Sequence, residues 1–109
     1  MTDWEVAEFL AKELMGWDQY PWVIKGWSPC TRIDQALGDG GPGTVVGEMD
    51  KLGYSLEIIR NRSVNTTTTY VMFFPHSPEG LALMGWTGED THPARAICLA
   101  AVEALKGEK

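Results

Sequence analysis

The sequence predicts an α+β domain: a three-layer α/β/α sandwich in which an antiparallel sheet of about three strands, with one further short strand as an option, carries helices on both faces. Three observations predict it. Helical periodicity occupies both ends of the chain. Between them lie runs rich in β-branched and aromatic residues, joined by short polar links, and consecutive strands on short links pair antiparallel. The runs Tyr70-Val71-Met72-Phe73-Phe74 and Leu81-Ala82-Leu83-Met84 do not alternate with polar residues, which is the pattern of strands covered on both faces.

The first helix is expected over residues 3–15. Thr2 and Glu5 form a capping-box pattern, and Val6, Phe9, Leu10 and Leu14 follow at helical spacing. Gly16 ends it. Residues 17–32 are dense in aromatics and punctuated by Pro21 and Pro29, so they read as ordered loop with a short extended piece at Trp22 to Lys25. A second helix begins at Ile33 to Leu37 and is interrupted by the glycine-rich run Gly38 to Gly43. It resumes from Thr44 to Leu52 and stops at Gly53. Strands are predicted at Tyr54 to Arg60, with Tyr54, Leu56 and Ile58 on one face, at Thr67 to Pro75, and at Leu81 to Trp86. The last helix spans 92–106, with Thr91 as N-cap, Pro93 in the first turn, and Ile97, Ala101 and Leu105 repeating every four residues. A length of 109 residues is that of one domain.

The formal net charge is −6, and the nine lysines and arginines are scattered; this argues against duplex nucleic acid, whose binders cluster basic residues on one face. No apolar run approaches membrane-spanning length, and Met1-Thr2-Asp3-Trp4-Glu5 is acidic rather than a basic leader region, so the expected location is cytoplasmic. Cys30 and Cys98 form no C-x-x-C pair, and neither a metal site nor a cofactor is expected. Cys98 reads as a core residue and Cys30, after Pro29, as a loop thiol open to solvent. A disulfide between them is an alternative that a reducing cytoplasm disfavours.

The candidate ligand-binding residues are Trp17, Tyr20, Trp22, Lys25, Trp27 and Arg32. Four large rings within eleven residues, beside two cations, suit a platform for a planar, anionic ligand such as a nucleotide. The same rings also suit the sealed edge of a small core. The glycine run lacks the Lys-Ser or Lys-Thr that a phosphate loop needs, and reads as a surface loop. Cys30 with His76 or His92 is the remaining catalytic combination. Glu48 with Asp50 and Glu89 with Asp90 read as solvated and helix-capping carboxylates.

Four stretches carry a resemblance: Val6-Ala7 through Met15-Gly16-Trp17, Trp27-Ser28-Pro29-Cys30-Thr31-Arg32-Ile33-Asp34-Gln35-Ala36, Val45-Val46-Gly47-Glu48-Met49, and Asp90-Thr91-His92-Pro93-Ala94-Arg95-Ala96-Ile97-Cys98-Leu99-Ala100-Ala101. Together they resemble the phage ABA sandwich domain family, small proteins of bacteriophages and prophages. The resemblance implies the α/β/α layering and brings no catalytic residues. It also implies a phage accessory protein in the host cytoplasm. The chain departs from that family at Gly38 to Gly43, which breaks a helix the family runs continuously.

Three functions are therefore expected in order. The first is a non-catalytic binding module acting on a host or phage protein. The second is an anti-defence sponge that sequesters a small nucleotide signal, for which a homodimer would let the site form across an interface. The third is a small hydrolase using Cys30.

Overall fold

A computed structural model of the chain describes residues 2–17, 27–41, 43–62, 65–75 and 85–107. Its first element, α1, is Asp3–Glu13. The expected capping box is formed: Thr2 Oγ1 accepts the Glu5 N–H at 3.2 Å, and Glu5 Oε1 accepts the Thr2 N–H at 3.0 Å. Two donors that the helix start leaves free are thereby satisfied. One face of α1 buries Val6, Ala7, Leu10 and Ala11.

Two short helices follow, α2 at Ile33–Ala36 and α3 at Val45–Lys51. The glycine run separates them as expected. Thr44 caps α3, with its hydroxyl accepting the Gly47 N–H at 2.9 Å.

The sheet comprises β1 at Tyr54–Arg62, β2 at Thr67–Pro75 and β3 at Trp86–Asp90, antiparallel and in that order. Leu56 pairs with Phe73, Ile58 with Val71 and Arg60 with Thr69, so those residues share a face with Tyr54, Gly88 and Trp86. The α+β class and the three-stranded antiparallel sheet are as the sequence predicts.

The position of the third strand is a correction. The apolar run suggested 81–86, whereas β3 begins at Trp86 and ends at Asp90; residues 81–84 lie outside the described residues. Packing rather than apolar content sets the strand. Gly88 is buried where the last helix crosses, and a Cβ there would meet the Ala96 carbonyl oxygen and the Ala100 nitrogen. Backbone thus rests on backbone, an approach only glycine permits.

That last helix, α4, is Pro93–Gly107. It packs on β2 and β3 and also receives α1, α2 and α3. A helix enclosed on several sides needs small side chains around most of its circumference. Accordingly Ala94, Ala96, Ala100, Ala101 and Ala104 are buried together with Ile97, Cys98, Val102 and Leu105. Each large apolar side chain fully buried contributes about 1.5–3 kcal/mol, and the largest here include Phe73, Leu10, Met49, Ile97 and Val6.

The layers run from the sheet to α4 and then to α1, with α3 set against β1 and α4. Among the described residues, none of the helices covers the opposite face of the sheet. The run at 70–74 is apolar throughout, yet its burial alternates: Thr69, Val71 and Phe73 face α4, while Tyr70 and Met72 are exposed. The expected second helical layer has no counterpart among the described helices.

Candidate functional site

The aromatic segment is only partly described. Tyr20, Trp22 and Lys25 lie outside the described residues. Trp17 and Trp27 are brought together, edge to face, with ring centroids 5.1 Å apart and planes at 73°. Trp17 is anchored by its N–H on the Ala11 carbonyl at 2.9 Å, just past the end of α1. Trp27 is only 7% exposed and belongs to the core. Rings so placed seal the core edge, and the enclosed Trp27 offers no open face for a base. Arg32 is exposed and holds Asp34 through Nε at 3.3 Å and Nη2 at 3.1 Å.

The glycine loop has already spent its donors. The Gly41 N–H binds Asp39 Oδ1 at 2.9 Å, the Gly43 N–H reaches Glu48 Oε2 at 3.5 Å, and Thr44 Oγ1 donates to the Gly41 carbonyl at 2.7 Å. The loop folds down onto the first turn of α3. A Cβ at Gly47 would meet the carbonyl oxygens of Gly40 and Gly41. A phosphate cradle needs free N–H groups pointing at the ligand, and these are turned inward.

The catalytic combination also fails to assemble from the described residues. Cys30 is 2% exposed, not the solvent-facing thiol the sequence suggested, because its turn packs against α1 and α4. Its neighbours are the Asp3 carbonyl and Cys98, while His92 is exposed and His76 lies outside the described residues. Glu48 pairs with Lys51 at 2.9 Å. Asp90 accepts the His92 N–H at 2.9 Å at the head of α4. That bond, together with Arg95, holds its carboxyl below the usual carboxylate range. Among the described residues no group of three or more histidine, cysteine or acidic side chains can hold a metal ion, and no helix is long and apolar enough to cross a membrane.

What the sequence reading missed is the outward face of the sheet. Its rows follow from the register: Glu57, Met72 and Thr87 lie side by side across the three strands, and Ile59, Tyr70 and Glu89 form the next row. Ile59 is 48% exposed, Tyr70 37% and Met72 36%. These side chains, with Glu57, Asn61 and Thr87, line a shallow cleft of about 270 Å³. Glu57 on β1 lines this cleft, and Glu89 on β3 stands in the same row as Ile59 and Tyr70, so the apolar centre has a carboxylate on each outer strand. The signal was present in the sequence as period-two spacing, with Glu57, Ile59 and Asn61 on one parity. It was hidden by the unbroken apolar run of β2.

Comparison with protein-family models, curated proteins and solved structures gives no match for this chain.

Proposed function

We propose that the chain is a non-catalytic binding module that docks a protein partner on the outward face of its sheet. The proposal includes the setting that the sequence resemblance suggests, a phage accessory protein working in the cytoplasm of a bacterial host. One observation carries it: Ile59, Tyr70 and Met72 form a contiguous apolar patch on a face against which none of the described helices packs.

The patch also suggests the character of the partner. Glu57 and Glu89 flank it, and the chain as a whole carries −6. Electrostatic complementarity favours an apolar surface ringed by lysine or arginine. A second copy of this chain would bring like-charged bodies together, which opposes association. Tyr70 beside Ile59 is an aromatic and β-branched cross-strand pair, which stiffens the patch before binding and lowers the cost of docking.

The nucleotide-sponge reading has weaker support. Trp27 is enclosed, Arg32 is engaged by Asp34, and the loop N–H groups are occupied. A thermal-shift screen with nucleotides and cyclic nucleotides that gave a clear rise in Tm would bring it forward.

The docking reading is tested by quantitative capture from bacterial lysate, with wild type and an Ile59→Glu/Met72→Glu variant side by side. The expected result is a protein retained by the wild type and lost from the folded variant. Equal retention by both would remove the outward face from the account.

A further inference from the structure

The chain has two cysteines, and the fold places both in one buried core cluster. Cys30 sits in the turn before α2 and Cys98 near the middle of α4; both are free thiols, 2% and 0% exposed. Cys30 Sγ lies 3.9 Å from the Asp3 carbonyl oxygen at the head of α1. The Asp3 carboxylate in turn binds Arg95 Nε at 2.6 Å, and Arg95 stands one helical turn before Cys98 on the same side of α4. The turn, α1 and α4 thus converge on the two sulfurs. With Cys98 beside it, Cys30 is held below the ordinary thiol value, while Cys30 and burial push Cys98 upward. A thiol of lowered pKa enclosed with a second thiol is the arrangement that thiol–disulfide exchange uses.

We propose that Cys30 and Cys98 are an oxidisable dithiol that closes to an intramolecular disulfide, clamping the turn at 29–31 onto α4. The oxidant is a low-molecular-weight disulfide such as glutathione disulfide. Cys30 thiolate attacks one sulfur of it, forming a mixed disulfide and expelling one glutathione thiolate. Cys98 gives its proton to that thiolate, then attacks the Cys30 sulfur and expels the second glutathione. Two protein thiols lose two electrons, and one disulfide is reduced to two thiols. Burial sets the rate: the first step waits for the turn to open, so mild urea accelerates it. The closed loop would span about 70 residues, long enough for a large effect on the unfolded ensemble.

The test treats the full chain with glutathione disulfide in buffer and in sub-denaturing urea, followed by alkylation, intact mass and peptide mapping. The expected product is a monomer lighter by two hydrogens, resistant to alkylation, with Cys30 and Cys98 peptides cross-linked. Its Tm should rise by at least about 5 °C and return on reduction. Cys30→Ser and Cys98→Ser should give neither the cross-link nor the rise; should either fail to fold, the wild-type product decides alone. Two alkylated thiols in both conditions, a stable glutathione adduct, or a disulfide-linked dimer would overturn the proposal. A cross-link with unchanged or lowered Tm would overturn the clamp of the turn onto α4.

Discussion

Arg95 donates its Nε to Asp3 Oδ1 at 2.6 Å, joining residues 92 positions apart. Its Nη1 donates to Asp90 Oδ2 at 2.9 Å. One guanidinium therefore links the start of α1, the end of β3 and the first turn of α4. The ion pairs are partly exposed, with 28% of the Arg95 side chain accessible, so screening reduces their worth. Arg95→Met is expected to cost about 1–2 kcal/mol in urea denaturation, more than an exposed pair such as Lys12 with Glu8. A loss no larger than that of Lys12→Met would show that the junction is held by packing alone.

Acid should loosen the same junction. The Asp90 carboxyl titrates below its unfolded value because of the His92 N–H and Arg95. A depressed carboxylate contributes stability that is present above the unfolded pKa, about 3.9, and is lost as pH falls through the folded value. Denaturation between pH 6 and roughly 3 should show this decline, and Asp90→Asn should make the curve flatter over that window. Parallel curves for the two proteins would remove Asp90 from the account.

Gly88 sets how closely α4 lies on the sheet. Gly88→Ala places a methyl group against the Ala96 carbonyl and the Ala100 nitrogen, neither of which is the end of a flexible side chain. A loss of about 2 kcal/mol or more is expected, as for other forced insertions into a packed core. Thermal unfolding reads it. A change within 0.5 kcal/mol, roughly the scatter of neutral surface substitutions, would mean that the helix can lift without cost.

The two faces of β2 should respond oppositely. Val71 and Phe73 are buried against α4, and Phe73→Ala is expected to cost about 3–5 kcal/mol. Met72→Thr, on the outward face, should stay within about 1 kcal/mol. Comparable losses at both positions, measured in urea, would mean that the outward face is covered within the folded chain.

Several of these features were legible in the sequence, for local reasons. The Thr2–Glu5 capping box formed because both partners lie within one helical turn. The β1–β2 pairing followed from two β-rich runs and a short polar link. Features set by distant contacts were not legible. The polar, glycine-containing Trp86–Asp90 makes a strand because α4 comes down on Gly88. Cys30 follows a proline in a turn, and only the folding of that turn against Asp3 and α4 buries it. Tyr70 and Met72 read as core because composition does not show which side of a strand has a neighbour. Of the six aromatic and basic candidates, the described ones became a ring pair at the core edge and a surface ion pair. Their residue types suit either role.

The most direct test of the docking claim is site-specific photo-cross-linking. A benzophenone amino acid replaces Tyr70 in one sample and exposed Lys12 on α1 in another, and both are irradiated in bacterial lysate. The account predicts a cross-link from position 70, absent from position 12, to a protein whose contact surface is apolar and ringed by lysine or arginine. Its yield should fall severalfold when Glu57 and Glu89 are changed to lysine. A cross-link only to a second copy of this chain, or no product at position 70 beyond that at position 12, would contradict it.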